Sequence, residues 1–228
     1  MRLWNTLILL TTIMISGFVN SQTKEGVRYS EQKLNSPTNN IAAMQCYNSG
    51  YMEFHKENYS VAISLYRRAI QLDSNYTDAI DNLGLTYRRI NNFDSAEYFY
   101  KLSIIKLPSN ELAWSNLGLV YLFKDDLKQA KSIYKQLIKI SPNYGDGYYQ
   151  LAEVYLRENN SDSAIIYSLK AYNIWKDNNS SYAGDALFYA GLGYYNKGDL
   201  INAKKYFNLA KKCGRVIPDE ISKQLNLK

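Results

Sequence analysis

The sequence predicts an all-α chain of about five repeated helix pairs. Three observations carry that expectation. An alanine returns every 34 residues at Ala62, Ala96, Ala130 and Ala164, and again at Ala203 after 39. A small-residue column keeps step with it: Gly50, Gly84, Gly118, Ala152 and Gly191. An Asn/Asp column stands four places before each alanine: Asn58, Asn92, Asp126, Asn160 and Asp199. A repeat of this length is one supersecondary unit that buries its apolar face only by stacking on its neighbours.

Residues 1–21 hold Arg2 and then an uncharged apolar run from Leu7 to Val19. Val19 and Ser21 stand three and one places before Gln22, the spacing a signal peptidase reads. The segment is expected to be a cleaved export signal; the alternative is a retained anchor. No second apolar stretch is long enough to span a bilayer, so no membrane insertion is expected after cleavage. Residues 22–42 are polar, with Gly26 and Pro37, and read as a flexible leader.

The array is expected over 43–217, in units at 43–76, 77–110, 111–144, 145–178 and 184–217, with five residues inserted around "NNSSYAG". The third unit shows the logic. At about 100° per residue, Trp114, Leu117, Gly118 and Tyr121 share one side of a helix. Glycine costs a helix interior about 1 kcal/mol against alanine, so its recurrence implies a steric reason. The expected reason is close approach of a second helix through Ala130, with Tyr121 and Tyr134 filling the space around it. Asn and Asp cap helix N-termini, so their column starts the second helices, and Asp126 with Gln129 has the form of a capping box. Pro108 and Pro142 stop the second helices of the second and third units.

These residues resemble the tetratricopeptide-repeat (TPR) family, whose pattern is W-x2-L-G-x2-Y, then A, an aromatic, A and P. "WSNLGLVY", Ala130, Tyr134 and Pro142 follow most of it, with Leu137 where the family prefers alanine; "IDNLGLTY", Ala96, Tyr100 and Pro108 follow closely. The other units depart at Ser49, Glu53, Ala152, Ser168, Lys176 and Arg215. The resemblance implies a right-handed α-α superhelix, a TPR solenoid, closed by a capping helix at 218–228. Pro218, Asp219 and Glu220 make a good helix start, and Ile221 and Leu225 give it one apolar stripe.

Catalytic chemistry finds little here. His55 is the only histidine, and the wheel places it on the exposed side of the first helix. Cys46 and Cys213 are read as two separate buried thiols with no metal-ligand spacing. "GLGYYNKG" is neither a dinucleotide fingerprint nor a phosphate loop. No enzyme activity, cofactor or metal is expected. The net charge of +6 is densest at Lys204, Lys205, Lys211, Lys212 and Arg215, a solvated helix face rather than a nucleic-acid surface.

The resemblance also implies that the first helices line a concave groove. Facing it are Tyr47 and Tyr51; Asp81, Leu85 and Arg89; Ser115, Leu119 and Phe123; Tyr149 and Glu153; Phe188 and Leu192. Met44, Asp78, Leu112, Asp146 and Asp185 lie beside them. The reading is a peptide groove with apolar anchors and an acidic rim at Asp78, Asp81, Asp146 and Glu153. The basic clamp of chaperone-binding members is absent. The expected function is a non-enzymatic interaction module of the cell envelope that holds a segment of another protein. The alternative is a structural subunit of an envelope or secretion assembly.

Overall fold

The computed structural model describes residues 38–177 and 180–227, which hold eleven α-helices and no strand. They pair in sequence order. The first pair is α1 (Ile41–His55) and α2 (Tyr59–Leu72), the second α3 (Thr77–Arg89) and α4 (Phe93–Lys106). The third is α5 (Glu111–Phe123) and α6 (Leu127–Ile140), the fourth α7 (Gly145–Arg157) and α8 (Ser161–Trp175). The fifth is α9 (Ser180–Asn196) and α10 (Leu200–Lys212), followed by the short α11 (Asp219–Gln224). The expected signal segment and most of the leader lie outside the described residues. The array begins two residues earlier than expected, because Asn40 caps α1 by accepting from the Ala43 N–H at 3.1 Å.

Four of the five Asn/Asp residues cap their second helices. Asn92, Asp126, Asn160 and Asp199 accept from the N–H three residues on, at 3.0–3.1 Å. Asn58 makes no such bond; its side-chain amide donates to Glu53 Oε2 at 2.7 Å, and Glu53 stands where the other units have tyrosine. The residue before each cap, at Glu57, Asn91, Asp125, Asn159 and Gly198, has a positive φ of 56–77°. This left-handed residue reverses the chain between the two helices of every unit.

The glycine column has a different cause from the one expected. A Cβ on Gly118 would stand 2.4 Å from the Tyr134 ring, one on Gly84 3.0 Å from Tyr100, and one on Gly191 2.8 Å from Phe207. It is the aromatic ring of the second helix, not its alanine, that lies against the glycine. The fourth unit supports this. Its Ala152 carries the Cβ the others lack, and Ser168 stands where they carry a ring; both are buried.

The insertion near residue 180 becomes helix. α9 has 17 residues where the first helices of the preceding three units have 13, about one extra turn at its N-terminal end. α11 then covers the last pair, burying Ile217, Ile221 and Leu225. Successive first helices touch one another across the units, whereas successive second helices stay further apart. The first helices therefore form the inner wall of a curved stack.

Candidate peptide-binding groove

The twelve expected groove residues fall into two sets along this inner wall. Tyr51, Asp81, Arg89, Ser115, Leu119 and Phe123 are half-buried. Tyr47, Leu85, Tyr149, Glu153, Phe188 and Leu192 are buried. Leu85 and Leu192 were expected to face water; they are instead buried, at 6% and 8% exposure, which explains their apolar character without a ligand.

The half-buried set centres on α5. Leu112 is 39% exposed, and Ser115, Leu119 and Phe123 follow it along one face. The Phe123 ring stacks on Phe93 of α4, with centroids 5.5 Å apart, and the Arg88 guanidinium sits 5.9 Å from the same ring. α5 thus offers an apolar stripe, fixed from behind, between two charged neighbours.

On one side α3 carries Asp81. Its Oδ2 accepts from Asn110 Nδ2 at 2.6 Å, while Oδ1 is sealed from solvent with no partner, although the residue keeps some surface at the groove. Burial pushes this carboxyl up to about 7, against the hydrogen bonds from Ser103 and Asn110, and nearby Asp78 adds to the rise. Asn110 also accepts from the Ala113 N–H and so caps α5. Asp81 is thereby tied to the start of the next unit. Asn82 donates to the Tyr47 hydroxyl at 3.1 Å and locks the first unit to the second in the same way.

On the other side α7 carries Glu153, which is engaged. It accepts from Arg157 Nη2 at 2.6 Å and from the Tyr189 hydroxyl at 3.2 Å. Tyr149 stacks on Tyr189 at 4.5 Å. The expected acidic rim therefore divides: Asp81 keeps an unpartnered oxygen, while Glu153 is part of the internal frame.

Sequence reasoning passed over Asn82, Arg88, Asn110, Tyr134 and Tyr189 as functional positions. A signal existed for the first, since Asn48, Asn82, Asn116 and Gln150 form an amide column directly after the groove column. No comparable pattern marked Arg88 or Tyr189.

His55 is exposed at the end of α1, with its ring edge-on to Tyr51 at 4.4 Å. Cys46 and Cys213 are free thiols and only half-buried, where full burial was expected. Each sits near the edge of the array, where fewer neighbours cover it. Among the described residues no His, Cys, Asp and Glu cluster could hold a metal, and no helix is long and apolar enough to cross a membrane.

Five stacked helix pairs with a lined inner wall define a helical-repeat solenoid. Models of the tetratricopeptide repeat match residues 46–76, 112–144 and 133–166. Those segments are tetratricopeptide repeats, the unit from which non-catalytic protein-interaction modules are built. The array is similar to a crystal structure of MamA protein, at 24% identity over 82% of this chain and 97% of that one, with a TM-score of 0.64. It is also similar to the structure of pilF from Pseudomonas aeruginosa, at 15% identity over 81% of this chain and 85% of that one, with a TM-score of 0.68. In sequence it is 28% identical over 98 residues to the uncharacterized protein ycf37 of Guillardia theta, which covers 41% of this chain. The match spans about half, 55%, of that relative's length.

Proposed function

We propose that this array is a scaffold of the cell envelope that captures a segment of a partner protein in its groove, after export directed by residues 1–21. The observation that carries the groove reading is the stripe on α5. Leu112, Ser115, Leu119 and Phe123 all keep surface at the inner wall, while at the two central positions Tyr149 and Glu153 of α7 and Phe188 and Leu192 of α9 are buried. Apolar surface held in place beside the half-buried Asp81 suits a segment with aliphatic or aromatic anchors and a basic side chain.

Chemical crosslinking in the native envelope fraction, followed by mass spectrometry, tests both halves. Capture of a partner by the wild type and its loss in Leu119→Arg and Asp81→Lys supports the groove. Glu153 is a poor choice for this test, because its reversal would break an internal ion pair. The same spectra report the N-terminal peptide. A chain beginning at Met1 would sink the cleavage, and recovery only from the cytosolic fraction would sink the localisation.

One observation favours the second reading, a structural subunit. α1, at the end of the array, exposes Ile41, Met44 and Met52 at 67%, 41% and 56%. Loss of capture in Met52→Lys, with Leu119→Arg silent, would select this edge over the groove.

A further inference from the structure

The two helices of each pair differ in charge. The five first helices together carry seven Asp or Glu and three Arg, whereas the five second helices carry three Asp or Glu and thirteen Lys or Arg. The first helices form the inner wall, so the second helices form the outer face, and the array is acidic within and basic without. The three outer acids are already matched. Asp94 and Glu97 each bond Lys124 at 2.8 Å, Glu97 also bonds Lys101 at 2.6 Å, and Asp162 bonds Lys197. Lys128, Lys135, Lys139, Lys205 and Lys212 are exposed and make no ion pair among the described residues.

Helix geometry aims these lysines outward. Ala130, Tyr134 and Leu137 are the buried side of α6, and Lys128, Lys135 and Lys139 recur on the side opposite. The same side of α10 holds Ile201, Lys205 and Lys212, opposite Ala203, Phe207 and Ala210. On α4 it holds Tyr98 and Ile105, and on α8 Ile166. These four apolar side chains are 54–85% exposed. They are spread over three helices, with the lysines of α6 between those of α4 and α8. The lysines of α10, read from the sequence as a solvated face, are thus one edge of a larger surface. A protein interface gathers its apolar groups at the centre and is depleted in lysine, the reverse of this pattern. A nucleic-acid backbone would use the lysines but offers no apolar layer to three isoleucines. An anionic bilayer takes both: lysine meets the phosphates, while isoleucine and tyrosine enter between the headgroups.

We propose that the outer face of α4, α6, α8 and α10 docks peripherally on an anionic phospholipid surface. The lysines of α6 and α10 seat on headgroup phosphates, and the single apolar side chains between them enter the interface. The same division of charge sets the orientation. An anionic surface repels the acidic inner wall, so the array lies with its groove turned away from the lipid. The inference needs neither the groove reading nor the export reading, since it rests on the second helices alone.

Vesicle flotation with the full chain tests this, using vesicles of phosphatidylcholine alone or of equal parts phosphatidylcholine and phosphatidylglycerol. Residues 1–21 are common to every variant, so the readout is the preference for anionic over neutral vesicles. Wild type should show a preference of at least about tenfold, lost as salt is raised. Lys135→Glu/Lys139→Glu should cut it to about twofold or less. Lys56→Glu/Lys223→Glu, an equal change of net charge off this face, should keep most of it. Ile105→Ser/Ile166→Ser should weaken anionic binding about fivefold or more and leave its salt dependence unchanged. Thermal unfolding checks that each variant is folded. Equal binding of both vesicle types by wild type, or equal losses from the outer-face and control reversals, would overturn the docking. So would a tighter grip on duplex DNA than on anionic vesicles at the same salt, which would make the face a nucleic-acid surface. Leu119→Arg should dock as wild type does, so loss of partner capture there with docking intact separates the groove from this face.

Discussion

Gly118 with Tyr134 and Ala152 with Ser168 are two solutions to one packing problem, each excluding the other's parts. Gly118→Ala places a methyl group 2.4 Å from the ring, on a side chain that cannot retreat from a closed core. The expected cost is about 2 kcal/mol, within the range for overpacking. In a Tyr134→Ser background the same substitution should become neutral or favourable, since alanine is the better helix former. Urea unfolding of the four proteins gives the coupling; additive costs would show that the ring does not hold the glycine. Glu57 presents the opposite case. It is the only non-Gly, non-Asn, non-Asp residue in the left-handed turn column. Glu57→Gly should raise stability by about 1 kcal/mol, the cost of that conformation for an ordinary side chain, and shift Tm by a few degrees.

Two carboxylates set opposite pH limits. Asp81 sits at about 7 in the fold against 3.8 in the open chain, so the fold keeps a proton that the unfolded chain releases. Its contribution therefore falls as pH rises from about 4 to about 7 and is flat beyond. Glu97 behaves in reverse. Burial opposes its charge, but bonds from Lys101, Lys124 and Tyr121 outweigh it and hold the carboxyl at about 2. Its stabilisation is present above the open-chain value and fades as pH falls toward 2. Asp81→Asn should remove most of the decline between pH 5 and pH 8, measured by urea midpoints. An unchanged slope would mean that another group carries it.

At the scale of elements, the helix order, the caps and the closing α11 were legible, because each rests on local rules with a 34-residue echo. Two features were not. The insertion around "NNSSYAG" could be located but not given a structure, since no repeat echo exists for it; it adds about one turn to α9, with Tyr182 packed on Trp175 at 5.6 Å. The turn column was hidden because Glu57, Asn91, Asp125 and Asn159 share only a polar character, not an identity. Removing residues 218–228 tests the cap. Ile221 and Leu225 are buried by it, at 1% and 6% exposure, and their loss should cost about 3 kcal/mol. Hydrogen exchange should then rise first in α9 and α10 and leave α3 to α6 protected, as expected when each unit leans mainly on its neighbours.

At the scale of the whole molecule, the candidate site was legible as a wall and illegible as a set of partners. A helical wheel can place Leu85, Leu119, Glu153 and Leu192 on the inner side of their helices. It cannot say which of them a neighbouring unit closes off, because that depends on residues 34 places away such as Tyr189 and Asn110. Stiffness has the same origin. Tyr47 to Asn82, Asp81 to Asn110 and Tyr189 to Glu153 each bolt one unit to the next.

The glycine-and-ring pairing also bears on how such a chain can be rebuilt. The glycine lies on the first helix of a unit and the ring on the second, so the smallest piece that can be copied or transplanted is the pair cut at its outer loops. A recombinant that joined α7 to α6 would press the methyl of Ala152 into the ring of Tyr134, and one that joined α5 to α8 would leave a void beside Ser168. Duplication and design alike must move these helices two at a time.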